Sequence, residues 1–371
     1  MLFGTVTALA ALTVMAPRAS AAPGPPDAPE WWFDTWHVQQ LWDSGARGQG
    51  IVIGEIDTGV NAALPALSGR ILAGRDFGAE GGIGQVDRDS APFGHGTAMA
   101  SIMVGRPADF GITGLAPDAR ILPVAVPLVG TTDAAPNDRL GVAIRWAADN
   151  GAKIISMSLG GSRSPEQDSI PCSGDQQDAI LYALSKGAIV LAAAGNDGDA
   201  GNPVEEPGVC LGVVAVGAAD SSGTVASFSG RHSYVAFTAP GVNVPSLGRI
   251  PGQAFSGSGT SQATAIAAAA TALVWSRYPS LSGPQVLARI FATLDGRRTT
   301  QDPAAGYGAL DPYAAITATV PADATDPVTA EVAPFLARWR AFATQPPVPA
   351  LSPAGRAGAS TGTFVVGAPP G

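Results

Sequence analysis

Residues 50–59 read Gly-Ile-Val-Ile-Gly-Glu-Ile-Asp-Thr-Gly, an apolar run that stops at an acid and a glycine turn. A short, nearly continuous apolar run bounded by glycines fits a strand covered on both faces, as in a parallel sheet. Working outward, similar runs occupy residues 120–126, 153–157, 188–193 and 213–217. Between them Leu140, Ala143, Ile144 and Ala147 recur at helical spacing, as do Ala179, Ile180, Ala183 and Leu184, closed by Gly187. This alternation predicts an α/β fold: a doubly wound, mostly parallel sheet with helices on both faces. In such sheets a ligand sits outside the carboxyl ends of the strands, where the winding reverses. Asp57 directly follows its strand and so belongs at that edge.

Two further contexts complete a chemistry: Gly94-His95-Gly96-Thr97 and Gly257-Ser258-Gly259-Thr260-Ser261-Gln262-Ala263. A serine hydroxyl is a weak nucleophile unless a base can take its proton and a third group fixes that base. Asp57, His95 and Ser261 supply acid, base and nucleophile in that chain order, which differs from His-Asp-Ser and Ser-acid-His solutions. Nor is Ser261 inside a Gly-x-Ser-x-Gly elbow. His95 and Ser261 each open a helix-compatible run, 96–104 and 262–278, so positive dipole ends would face the same cleft. The chain has three histidines; His37 and His232 lie in contexts that read as structural.

On these motifs, spread from Trp36 to Ile316, the chain resembles the subtilisin-like (subtilase) family. The resemblance implies a serine endopeptidase with Asp57, His95 and Ser261 as the catalytic residues and an acyl-enzyme on Ser261. It also implies an oxyanion hole made by Asn196, in Ala193-Ala194-Gly195-Asn196, and the Ser261 backbone N–H. Ser158-Leu159-Gly160-Gly161 resembles the edge against which the family pairs an extended substrate, and with Ala192 and Ala193 it suggests an uncharged main pocket. Two departures stand out: Gln262 and Ala265 occupy positions where the family commonly has Met or Phe and then Pro. Glu55, inside the strand, is expected to meet an arginine or another structural partner, because burial raises an unpaired carboxylate's pKa, with a catalytic role as the alternative.

The remaining features concern destination and partners. The 371 residues are 46% hydrophobic and 14% charged, with a net charge of -9, which suits one large globular domain and argues against nucleic acid. Residues 1–21, apolar and ending Ala19-Ser20-Ala21, read as a signal peptide, with an uncleaved anchor as the alternative. Cys172 and Cys210, an even pair in an exported chain, favour one disulfide over two free thiols. Residues 22–49 form a Pro-rich extension and a segment carrying Trp31, Trp32, Phe33, Trp36 and Trp42, read as a packing clasp with no room for a folded propeptide. Residues 50–319 form the catalytic domain, which Tyr307-Gly308-Ala309-Leu310-Asp311 closes.

Residues 320–371 form an Ala/Pro-rich tail in which Val332, Phe335, Leu336, Trp339 and Phe342 share a helical face. That helix either packs on the domain or lies on a membrane or partner. The short extension, lone cysteine pair and absent propeptide resemble the mycosins, membrane-anchored proteases associated with type VII secretion, although their carboxy-terminal membrane helix is not visible here. The resemblance implies polypeptide substrates, a secreted or envelope location and, as the alternative function, a mainly structural role in a type VII-like secretion complex. No cofactor is expected; structural calcium is left open, because no Asp-rich ligand loop of recognisable spacing occurs.

Overall fold

The computed structural model describes residues 30–78, 80–107, 110–128, 139–163, 172 and 174–343, together with the two-residue strand β1 (Thr13–Val14). The rest of the predicted leader, residues 22–29 of the extension and the stretch 345–371 lie outside the described residues. Each predicted apolar run is a strand: β2 (Val52–Asp57), β4 (Arg120–Ala125), β5 (Ile154–Met157), β7 (Ile189–Ala193) and β9 (Val213–Ala219). With β3 (Arg75–Asp76) and β10 (Val235–Pro240) they form a seven-stranded sheet of order β10-β9-β7-β5-β2-β4-β3. Every pairing in it is parallel. The winding reverses at β2, which has β4 on one side and β5 on the other, so Asp57 stands at the switch point.

Strand side chains alternate between two cores. Ile53, Ile121, Ile154, Ile189 and Val214 face α1 (Trp32–Thr35), α2 (Val38–Asp43), α3 (His95–Val104), α6 (Thr260–Arg277) and α7 (Gly283–Ala292). Ile56, Leu122, Ile155 and Val190 face α4 (Leu140–Asp149) and α5 (Gly174–Ser185). The period of two puts Glu55 and Asp57 with Ile53 on the α3 side. Helix α6 is buried continuously from Gln262 to Ser276. Its alanines explain how a helix covered all round can lie close to both the sheet and α3. Ala265 leaves this helix unbroken, while buried Gln262 lies against Gly257 and Gly259.

Smaller elements frame the strand ends. β6 (Gly161–Ser162) pairs antiparallel with β8 (Glu205–Glu206), and β11 (Val244–Leu247) forms a hairpin with β12 (Ala254–Gly257), to which β1 adds. The amino-terminal aromatics do pack as a clasp: Trp32, Phe33 and Trp36 are buried, and Trp42 donates from Nε1 to the Leu115 carbonyl (3.0 Å). Residues 306–310 run beside β10, with Tyr307 N–H donating to Ala236 and Leu310 N–H to Thr238, both at 2.8 Å, before α8 (Pro312–Thr317). Helix α9 (Pro327–Ala343) sets Val332 and Leu336 against Leu181 of α5. The expected single apolar face is divided, however: Phe335 is 44% exposed. Among the described residues, no helix is long and apolar enough to cross a membrane.

Candidate active site

The motif residues around Asp57 and His95 interlock for steric reasons. Gly59 has a positive φ of 93°, and a Cβ on Gly96 would lie 2.2 Å from the Gly59 carbonyl oxygen, so α3 can begin against this turn only without side chains there. The two motif threonines are held by one buried acid. Asp87 Oδ1 accepts from Thr58 Oγ1 (2.8 Å), and Asp87 Oδ2 accepts from Thr97 N–H (2.8 Å) and Thr97 Oγ1 (2.5 Å). Thr58 Oγ1 accepts from Gly96 N–H (2.9 Å), and Asp89 Oδ2 from His95 N–H (2.9 Å). Burial foremost pushes the Asp87 carboxyl up, partly offset by these donors.

This frame delivers His95 to Asp57. Imidazole Nδ1 lies 2.8 Å from Asp57 Oδ1 and 2.9 Å from Oδ2, and Thr58 N–H donates to Oδ1 at 2.7 Å. Asp57 is 1% exposed and the His95 side chain 25%, so the pair has one dry end and one wet end. A carboxylate at Nδ1 favours the tautomer protonated there and leaves Nε2 as a base. Burial works against the imidazolium, but the charge and hydrogen bond of Asp57, with Asp89 and Asp87 adding, outweigh it and raise the His95 pKa above its ordinary value.

Ser261 is the second residue of α6, where a backbone N–H has no intrahelical acceptor. Its Oγ donates to the Ser158 carbonyl (2.8 Å) rather than to His95, and Ser158 Oγ donates back to the Ser261 carbonyl (2.9 Å). The direct serine–histidine hydrogen bond that the motifs imply is therefore not formed in this conformation. Asn196, exposed after β7, accepts through Oδ1 from Thr260 N–H (2.8 Å) and Thr260 Oγ1 (2.9 Å). Fixing the oxygen this way leaves the amide Nδ2 as a donor beside the Ser261 N–H.

A further acid, Glu55, lies on the same strand as Asp57. Glu55 is 2% exposed and neither carboxylate oxygen has a hydrogen-bond partner among the described residues. Burial, then repulsion from Asp57 and Asp87, hold its pKa well above the ordinary carboxylate value, and the nearby Ala100 backbone offsets only part of that. The expected arginine or structural partner is not found among the described residues. His37 and His232 lie apart from this pair: His37 meets the edge of Tyr313, and His232 stacks on Tyr234 with Nε2 2.9 Å from the Pro203 carbonyl.

The substrate-facing segments differ from expectation in two ways. Gly161 is already paired with Glu206 in the β6–β8 ladder, so only Ser158, Leu159 and Gly160 run free of a ladder beyond β5. Nor are the surroundings of Ala192 and Ala193 uncharged: the buried Glu205 side chain lies against Gly160 and Gly195, with Oε1 accepting from Ser162 Oγ (2.7 Å). Beyond Leu159 opens a cavity of about 370 Å³ whose walls include Val126, Leu128 and Leu140 together with Arg139, Asp175 and Glu206. Cys172 and Cys210 form a disulfide across this side of the molecule. Asp87 and Glu205 had no motif to announce them, although Thr58 and Thr97, inside the motifs, signalled that something must satisfy two buried hydroxyls.

Comparison with known proteins points one way. The Subtilase family model matches residues 48–308. Over 285 residues the chain is 32% identical to minor extracellular protease Epr of Bacillus subtilis, covering 76% of this chain and 41% of that protein. Thermitase of Thermoactinomyces vulgaris is 39% identical over 249 residues, 66% of this chain and 81% of thermitase. Among solved structures, the MycP3 protease from the type VII (ESX-3) secretion system superposes with a TM-score of 0.68 at 28% identity, covering 83% of this chain and 94% of that one.

Proposed function

Since the chain belongs to the subtilase family of serine endopeptidases, we propose that it hydrolyses peptide bonds through Asp57, His95 and Ser261. The observation that carries this assignment is the buried Asp57 carboxylate bonded to His95 Nδ1 at 2.8 Å. The chemistry requires Ser261 Oγ to turn from the Ser158 carbonyl to His95 Nε2, a side-chain rotation within the reach of apo active sites. His95 then takes the hydroxyl proton as Oγ bonds to the substrate carbonyl carbon, and Asp57 stabilises the imidazolium. Asn196 Nδ2 and the Ser261 N–H receive the oxyanion. Collapse breaks the C–N bond, with the His95 proton passing to the leaving amine; water, activated by the same base, then releases the acyl group. Labelling by a fluorophosphonate probe tests the assignment. Labelling lost in both Ser261→Ala and His95→Ala is the expected result, and a folded wild-type protein that takes no label would refute it.

The chain is further proposed to work outside the cytoplasm, beside a type VII-like secretion complex. The fold likeness to MycP3 supports this, as does the disulfide, since such bonds persist in oxidising compartments. A predominantly structural role in that complex is the second reading. It requires that a Ser261→Ala chain abolish cleavage yet sustain secretion; loss of both would leave the peptidase reading alone.

A further inference from the structure

Neighbouring strands β5 and β7 end side by side, Met157 opposite Ala192, and their continuations Ser158–Gly160 and Ala194–Asn196 both lead from the nucleophile's surroundings. Glu205 closes the gap between them. A Cβ on Gly160 would stand 3.1 Å from Glu205 Oε2, and one on Gly195 would stand 2.6 Å from Glu205 Cγ. The residue is 6% exposed, and its backbone is pinned, Glu205 N–H donating to Tyr234 Oη at 3.1 Å. Oε1 is satisfied by Ser162 Oγ, whereas Oε2 makes no hydrogen bond or ion pair among the described residues and, unlike the Glu55 oxygens, is not sealed from solvent.

A largely covered carboxylate whose one unpartnered oxygen is still reachable offers a place for a cationic donor, which would take over from the little water that reaches it. Among the described residues none forms an ion pair with Glu205. Arg163, on the adjoining strand end, pairs with Glu206 at 3.2 Å, and Asp197 adds a second negative charge. Burial first, then Asp197, push the Glu205 pKa up, as expected of a carboxylate that lacks its counter-charge.

Resting on the peptidase reading above, the placement of a substrate follows. With its carbonyl oxygen at Asn196 and its backbone along Ser158–Gly160, the acyl residue directs its side chain into the gap that Glu205 floors. We propose that Glu205 is a specificity residue that selects a lysine or arginine side chain on the substrate residue immediately before the scissile bond. The two flanking glycines leave room for the Glu205 side chain between the segments, and the carboxylate supplies a charge partner for a cationic head that leaves water.

The test uses peptide aldehydes, which add reversibly to a serine nucleophile, to protect the folded protein from fluorophosphonate labelling. Two inhibitors share one sequence and differ only at the terminal residue, argininal against norleucinal. On wild-type protein the argininal should protect at concentrations lower by about tenfold or more, and in Glu205→Gln that advantage should collapse toward parity. Glu205→Ala provides the same comparison should the glutamine variant fold poorly. Equal protection, or better protection by norleucinal, on labelled wild-type protein would overturn this inference while leaving the nucleophile assignment intact. Wild-type protein that takes no label would overturn both.

Discussion

At the scale of single residues, the site depends on side chains oriented before any substrate arrives. Asn196 is the sharpest case, since Thr260 holds its oxygen and thereby aims its nitrogen. Replacing Asn196 by Ala should lower kcat on the order of 10²- to 10³-fold with little change in KM, a magnitude measured on a member of this same family. Steady-state kinetics on one peptide series decides it; an equal loss through KM would instead make Asn196 a ground-state binding group. The His95–Asp57 pair sets the pH behaviour. Only neutral His95 can accept the Ser261 proton, and Asp57 raises the pKa of His95 above its ordinary 6.5. Activity should therefore climb with pH along a limb centred above that value. The limb should move downward in an Asp57→Asn variant, alongside a fall in rate, and a limb that stays put would assign the titration to another group.

At the scale of elements, β2 carries both Asp57, the proposed triad acid, and a liability. Glu55 lies two residues before Asp57 on the same face, with neither oxygen hydrogen-bonded among the described residues. Its folded pKa is raised above the unfolded value near 4.5, so the folded state binds the extra proton. The associated stability is complete below that unfolded value and is lost as pH rises through the folded one. Glu55→Met, similar in volume and without polar atoms, should stabilise the protein by about 1–3 kcal/mol at pH 8. The gain should narrow as pH approaches 4. Chemical denaturation at the two pH values measures it, and a destabilised variant would mean that Glu55 has a partner worth more than its burial costs. The strand itself was readable because an apolar run covered on both faces has few other uses, and the same holds for β4, β5, β7 and β9. β10 was less legible: its sequence, Val-Ala-Phe-Thr-Ala-Pro, is broken by Thr238 and ends in Pro240. Its place at the sheet edge is where such a proline is tolerated.

At the scale of the whole molecule, the proposed triad was legible in the sequence because each member stands in a short local context whose glycines and threonines have steric duties. Glu205 was not, because the glycines that give it meaning lie at positions 160 and 195 and only the sheet brings them to it. Glu205-Glu206-Pro207 by itself reads as a solvated loop. The disulfide acts at this same scale. Cys172, just before α5, joins Cys210, just after β8, so the 38-residue span between them encloses α5, β7, Asn196 and Glu205. Closing a loop of that length removes unfolded-chain entropy worth roughly 4 kcal/mol at most, since native-state strain and residual structure usually reduce the figure. A Cys172→Ser/Cys210→Ser chain should unfold at correspondingly lower denaturant, and wild-type protein in reductant should shift to meet it. Fluorophosphonate labelling should fail in both at lower denaturant than in the oxidised protein, because the loop released holds one wall of the cleft. If oxidised and reduced proteins unfold together, the segment from α5 to β8 is held by its packing against the sheet, and the covalent link adds nothing to the order of the site.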